Sequence, residues 1–314
     1  MTLGKGMSST KTIKTRIRSV KNISQITKAM EVVSATKMRR SQEFALRARP
    51  YAVAGMEMLK NILARSSALP PLLAPRPVRR SVLLVITSDK GLAGAFNANV
   101  LRKAALWIQN KRIRETPWGV VAVGKKAKEY FERRGIAPEK SFTGFGDYST
   151  LAETKPVADL VIKGFLEGRW DEADSAYAHF RTTLLQETAL KKILPATREG
   201  LEEIVRAIVP ERGRFAYVAE FARTHRYSYE YIFEPAPEKI LESLARDLLR
   251  MHIHHIILES NASEHSARMV AMKNASQNAG DLIGALTLQY NKARQASITQ
   301  ELIEITSGRE ALEA

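Results

Sequence analysis

The sequence predicts an α/β fold in which two long helices, one from each end of the chain, form a hairpin with a domain inserted at its turn. Three observations predict it. All 12 prolines of the 314 residues lie between Pro50 and Pro237, so both ends lack the residue that breaks helices. Both ends carry apolar residues at helical spacing. Between them, short apolar runs alternate with helix-forming stretches, as in a parallel or mixed sheet with crossover helices.

The N-terminal segment, residues 1–65, is read as a helix from Ser9 to about Arg65, with Ser9 or Thr10 as its cap. Apolar residues recur at Ile13, Ile17, Val20, Ile23, Ile26, Met30 and Val33. Six steps cover 20 residues, an average below the 3.6 of a straight helix, which favours a left-handed wrap around a partner. Pro50 is expected to bend or interrupt the far end.

Residues 66–237 read as the globular domain. Pro70, Pro71, Pro75 and Pro77 form the entering linker. Ser81 to Thr87 (SVLLVIT) is a buried-strand run, followed by SDKGLAGAFN and the helical ANVLRKAALWIQNK. Val120 to Val123, opened by Trp118 and Gly119, is a second strand, and KKAKEYFERRG a second helix. Asp174 to Arg181 is a candidate third strand. Phe215 to Phe233 alternates as a strand does, whereas the charged, helix-prone Arg198 to Arg214 fits no clear element.

Residues 238–314 contain no proline, and 75 helical residues would reach roughly 110 Å, too far for a globular helix. Met269, Met272, Leu282, Leu286, Ile298, Leu302 and Ile305 are the expected seam. Between them, ESNASEHSARMVAMKNASQNAG reads as a small, weakly adhesive surface. Neither terminal helix is stable alone, so the two are expected to pair.

Composition narrows the function. No cysteine is present, which excludes disulfides, thiolate metal sites and thiol redox control. No run of about 18 apolar residues offers a membrane span, and Met1 to Ser9 has no signal-like apolar core, so a cytosolic protein is expected. The net charge is +16, of which residues 1–65 contribute +11 from 14 basic and 3 acidic side chains. Such a block implies an acidic partner: nucleic acid, an anionic membrane surface or acidic protein loops.

Candidate chemistry is sparse. The turn from Ser88 to Gly94 lies where a strand meets a helix and could cradle a phosphate, but it matches neither a P-loop nor a dinucleotide fingerprint. His252, His254 and His255 do not share one helical face and have no acidic partner beside them, so a structural role is favoured over a metal site. Asp171, Glu172 and Asp174 read as a solvated turn. A basic coiled-coil nucleic-acid-binding protein is the alternative function, although Lys11, Lys14, Arg16, Arg18, Lys21, Lys28, Lys37, Arg39 and Arg40 spread around the helix without interleaved aromatics. No catalytic residues, cofactor or metal are expected.

Both termini resemble the gamma subunit of F-type ATP synthase. The resemblance is carried by KNISQITKAMEVVSATKMRRSQ and ARPYA near the start, and by SEHSARMVAMKNASQNAGDLI and YNKARQASITQELIEITSG near the end. SDKGLAGAFN and YEYIFEP in the middle also fit. It implies an antiparallel, left-handed coiled coil of the N- and C-terminal helices with an inserted Rossmann-like α/β domain. It further implies a non-catalytic central stalk that turns inside the alpha and beta hexamer and couples proton or other ion flow through the c-ring to ATP synthesis. The expected partners are the alpha, beta and epsilon subunits and the c-ring, with one copy per complex and no nucleic acid. The expected place is the cytoplasmic face of a bacterial inner membrane, as a peripheral protein.

By the same resemblance, Met30 and the basic cluster Lys37, Arg39 and Arg40 lie near the acidic lever loop of beta. Arg294, Gln295, Thr299, Glu301 and Glu304 engage beta and alpha higher up the shaft, and Tyr231 and Glu234 contact the c-ring and epsilon. Three features depart from the family pattern: Arg309 stands where a small residue is usual, residues 198–214 read as an insertion, and Met1 to Gly6 precede the usual start near Met7. With no cysteine pair, a bacterial chain is favoured over the chloroplast form.

Overall fold

A computed structural model describes residues 10–47, Gly55, Met58, Ile62, 69–183, 185–196 and 236–313. Pro50, the stretches 198–214 and 215–233, Tyr231, Glu234 and residues 1–9 lie outside them. The chain divides into two compact units, Met1–Val33 with Met269–Ala314, and Ser34–Arg268. Helix α1 (Thr10–Arg47) and helix α5 (Pro237–Glu313, 77 residues) each contribute residues to both units.

In the first unit the two terminal helices pack against each other as an antiparallel pair. The more buried positions are Thr10, Ile13, Ile17, Val20, Ser24, Thr27 and Glu31 on α1, and Met269, Met272, Ser276, Ala279, Ile283, Leu286, Tyr290 and Ala293 on α5. Both series alternate steps of three and four, the heptad rhythm of a left-handed coiled coil. The expected seam is therefore corrected. Ile13, Ile17 and Val20 belong to it, but Ile23, Ile26 and Val33 are 53%, 59% and 52% exposed. The apolar stripe advances by about 3.3 residues per step, less than the 3.5 of a heptad, so it rotates off the seam after Val20. On α5, Met269, Met272 and Leu286 are in the seam, whereas Leu282, Ile298, Leu302 and Ile305 are exposed.

The second unit is built on a five-stranded sheet of order β3-β2-β1-β4-β5. Its strands are β1 (Ser81–Ile86), β2 (Trp118–Val123), β3 (Lys140–Phe142), β4 (Glu172–Phe180) and β5 (Gln186–Leu194). The first four run parallel, and β5 pairs antiparallel with β4. Because successive side chains point to opposite faces, the all-apolar run VLLVI fills two cores at once. Val82, Leu84 and Ile86 pack with helix α4 (Leu151–Leu166) and with Leu241 to Ile257 of α5. Leu83 and Val85 pack with helices α2 (Phe96–Ile113) and α3 (Lys125–Glu132). A capping box starts α4: Thr150 Oγ1 accepts from Glu153 N at 3.3 Å, and Glu153 Oε2 accepts from Thr150 N at 2.6 Å.

Two polar stretches differ from their reading as solvent-facing. Glu172 and Asp174 are buried in β4, because that strand lies inside the sheet between β1 and β5. Lys111 and Lys192 pair with Glu172 at 2.5 and 2.7 Å, and Trp107 Nε1 donates to Asp174 at 2.7 Å. In ESNASEHSAR, Ser260, Ser263, His265, Ser266 and Arg268 are buried and belong to the globular unit. Ser263 donates to Ala178 O at 2.9 Å and Ser266 to Thr183 O at 2.6 Å, so these small polar residues anchor the helix.

The histidines give this unit a pH dependence. Burial holds His252 at about 3 and His254 and His265 at about 4, far below the ordinary imidazole value. The folded state keeps them neutral while the unfolded state binds protons below pH ~6.5, so stability falls as pH drops from that point towards 4. Asp174 and Glu264, raised first by burial, act in the opposite direction as they take up protons. Trp107, Trp118 and Trp170 all lie in this unit and report on it. Urea unfolding followed by tryptophan fluorescence should show a loss of at least about 1 kcal/mol per pH unit between pH 6 and 5. A flat profile would mean that the imidazoles are charged in the fold.

Candidate functional site

The surface that distinguishes this fold is the shaft. On α1 the exposed Ile23, Ile26 and Val33 and the half-buried Met30 follow heptad spacing, one position ahead of the seam. Lys37 and Arg40 continue that stripe at the same spacing. Apolar residues so placed leave water only against a partner.

Past Ala293 every described side chain of α5 is exposed, through Arg309. Arg294, Ile298, Glu301 and Ile305 form one face at steps of four, three and four; Gln295, Thr299 and Leu302 form the next. Ser297, Gln300 and Glu304 continue the seam rhythm with polar residues. Leu302 and Ile305 are 59% and 69% exposed. Local bonds brace the helix: Thr299 Oγ1 donates to Gln295 O at 2.9 Å, Ser297 Oγ to Glu301 Oε1 at 3.3 Å and Gln300 Nε2 to Glu304 Oε1 at 3.1 Å. The expected contact residues thus wrap around a rod rather than converge on a centre.

The basic cluster divides. Arg39 and Arg40 are exposed, whereas Lys37 Nζ donates to Asp147 Oδ2 at 2.5 Å within the globular unit. Sequence reasoning missed Asp147, since an isolated aspartate in a loop carries no pattern. It also missed the exposed stripe, although the shortfall of its period below 3.5 already signals it.

A cavity of about 150 Å³ opens at the C-terminal ends of β1 and β2, where a doubly wound sheet would hold a ligand. Thr87, Ser88, Asp89, Lys90, Gly124, Asp147 and Glu264 are among its lining residues. Three carboxylates against one lysine oppose a phosphate, and the volume is below the roughly 300 Å³ of a small-molecule site. The Ser88–Gly94 turn also satisfies itself. Asn97 Oδ1 accepts from Ser88 N at 3.0 Å, and Asp89 accepts from Lys125 N at 2.7 Å and Gly144 N at 2.8 Å. Asp89 thereby fills the anion position at the start of α3. As for the histidines, His252 and His255 are buried, and His254 Nδ1 lies 2.9 Å from Thr154 Oγ1. Among the described residues, no group of three His, Asp or Glu is placed to hold a metal ion.

Comparison with known proteins places this helix pair in a family. Residues 9–312 match the family model described as ATP synthase. The ATP synthase gamma chain of Chloroflexus aurantiacus is 42% identical over 310 residues, covering 98% of this chain and 99% of that one. The chain belongs to the ATP synthase gamma-chain family. The gamma chain of Roseiflexus castenholzii is 40% identical over 311 residues, with the same coverage. As a gamma chain it is a non-catalytic subunit of the synthase. The fold agrees with two cryo-EM structures of mitochondrial ATP synthase. One, from Euglena gracilis, covers 97% of this chain and 94% of that one at a TM-score of 0.62 and 18% identity. The other, the central stalk and c-ring of Tetrahymena thermophila, covers 80% and 99% at a TM-score of 0.57 and 23% identity. No described helix of the gamma chain is long and apolar enough to cross a membrane.

Proposed function

We propose that the chain is the rotating central stalk of its synthase, turned by ion flow through the c-ring and presenting a different face to each beta subunit in turn. The carrying observation is the exposed apolar surface along both shaft helices, from Ile23 to Val33 on α1 and from Ile298 to Ile305 on α5. A rotor works through contacts that differ with angle, and two unlike stripes on one rod supply that asymmetry.

In this reading Met30, Lys37, Arg39 and Arg40 face the lever loop of beta, Lys37 from beside its partner Asp147. Arg294, Gln295, Thr299, Glu301 and Glu304 meet the upper hexamer, and Tyr231 and Glu234 meet the c-ring and epsilon. One copy serves each complex, held peripherally on the cytoplasmic side of the membrane. The domain division at residues 1–65, 66–237 and 238–314 is proposed with it. The nucleic-acid alternative has no support in the comparisons.

Purification from native membranes should recover alpha and beta subunits with the chain, and their absence would overturn the reading. Reversing both charges, Arg294→Glu with Glu301→Arg, should lower ATP-driven proton pumping per ATP hydrolysed while leaving assembly intact. The expected loss is about tenfold, since each exposed charged contact is worth on the order of 1 kcal/mol. Unchanged coupling would mark both residues as plain surface.

A further inference from the structure

The loop between β3 and α4 holds both long helices at once. From α1, Lys37 Nζ donates to Asp147 Oδ2 at 2.5 Å, and Ser41 Oγ donates to Asp147 O at 3.2 Å. Phe44 stacks on the adjacent Tyr148 at 5.6 Å between ring centroids. Lys37, Ser41 and Phe44 are spaced by four and three, so a single face of α1 meets the loop. From α5, His265 Nε2 lies 3.0 Å from Asp147 Oδ1, and Asn261 Nδ2 donates to Gly146 O at 3.4 Å. The two carboxylate oxygens of Asp147 therefore each take one helix. Burial pushes this carboxyl up most strongly, but the Lys37 hydrogen bond and the nearby charges of His265, Lys37 and Lys90 together outweigh it and keep Asp147 below the usual carboxylate range. A charge-assisted bridge in a half-buried place is stronger than a surface ion pair.

All of these residues lie in the unit Ser34–Arg268, and the chain leaves that unit only at Val33–Ser34 and Arg268–Met269. Those two crossings lie within α1 and α5. A helix gripped by itself can swivel or bend, whereas two helices fixed to one another and to a rigid sheet form a couple. The sheet side of the grip is firm. Arg268 Nη2 donates to Gly91 O at 3.1 Å and to Glu264 Oε1 at 2.6 Å, and His179 pairs with Glu259. On α1 the Asp147 and Tyr148 contacts supply the corresponding grip.

We propose that Asp147 is a positioning residue for torque transfer, bridging Lys37 and His265 so that the roots of both long helices turn together with the globular unit. The proposal rests on the rotor reading. It gives Lys37 a role inside the rotor in addition to its place near the beta lever, and it makes the SEHSAR stretch the root of the shaft.

The test uses the assembled synthase in proteoliposomes, carrying Asp147→Ala, Asp147→Asn, Lys37→Met, Lys37→Arg or His265→Ala. Subunit stoichiometry, ATP hydrolysis and ATP-driven proton pumping are measured on each preparation. Lys37→Met and Asp147→Ala should assemble with alpha and beta, hydrolyse ATP, and pump at least about fivefold fewer protons per ATP. Lys37→Arg should keep most of the coupling, because it restores the cation at the bridge. A lost fold would reduce hydrolysis and pumping together, so the ratio separates positioning from stability. Should Asp147→Ala fail to assemble, Lys37→Met decides alone, since it removes one partly exposed cation and leaves the loop in place. An unchanged ratio in Lys37→Met overturns the proposal. Recovery of the parent chain without alpha and beta would instead overturn the rotor reading beneath it.

Discussion

A Gly124→Ala chain is expected to lose roughly 4 kcal/mol of the stability of its globular unit and to melt well below the parent. Gly124 joins β2 to α3 with φ 92° and ψ 144°, a region open in practice only to glycine. An added Cβ would sit 2.2 Å from Thr87 O and 2.8 Å from Thr87 Oγ1. Thr87 cannot retreat cheaply. Its N–H donates to Val123 O at 2.9 Å, and its Oγ1 accepts from Ala127 N at 2.8 Å. Gly124 N in turn donates to Phe142 O at 2.8 Å, so relief of the clash would loosen the ends of β1, β2 and β3 together. Strain of about 1–3 kcal/mol adds to two or three hydrogen bonds of about 1 kcal/mol each. The total reaches roughly 4 kcal/mol, a large share of a domain's stability. Gly135 is the control: its φ is 68°, but a Cβ there meets nothing within 4 Å. Gly135→Ala should destabilise by only about 1–2 kcal/mol. Thermal melts followed by tryptophan fluorescence would test the pair, and equal melting temperatures for Gly124→Ala and the parent would refute the argument.

The same crowding explains which parts of the fold the sequence discloses. β1 and β2 are legible because both faces of SVLLVI and WGVVAV are buried, so the runs are continuously apolar. The long helices are legible because proline is missing from both ends of the chain. Helix α4 is hidden because Pro156 lies inside it and reads as a breaker, although the Thr150 and Glu153 cap marks its start. β5 is a half-exposed edge strand whose QETALKKIL has little apolar alternation to show. The site divides in the same way. Family-specific strings locate the shaft residues, but no local pattern marks Asp147, whose partners lie 110 and 118 residues away in sequence. The polar ESNASEHSAR stretch misleads for a related reason. Its serines serve as hydrogen-bond donors into a protein surface, which composition alone cannot separate from a solvated face.

The exposed stripe of α1 gives the sharpest test of the shaft, because two explanations predict opposite results at adjacent residues. If Ile23 and Ile26 meet a partner, Ile23→Asp with Ile26→Asp should leave the melting of the isolated chain nearly unchanged. Its affinity for an alpha and beta hexamer should fall by more than about 100-fold, from two lost isoleucine burials of roughly 1.5–3 kcal/mol each. The neighbouring seam positions Ser24 and Thr27 should behave in reverse. Both are shielded in the helix pair, and Thr27 Oγ1 returns its hydrogen bond to Ile23 O at 3.0 Å. Ser24→Leu with Thr27→Leu should raise the melting temperature of the pair, because apolar residues at heptad positions strengthen a coiled coil. Hexamer affinity should then stay within about threefold, since neither side chain faces outward. Titration of hexamer with each variant, alongside circular dichroism melts, distinguishes the cases. Were the aspartates to melt the chain and spare the affinity, Ile23 and Ile26 would belong to the seam, and a heptad register through Ser24 and Thr27 would be wrong. A seam that turns polar on α1 from Ser24 to Glu31, beside an apolar outer stripe, is the reverse of a stable free-standing coiled coil, and it follows if the helix pair gains part of its stability from the sleeve around it.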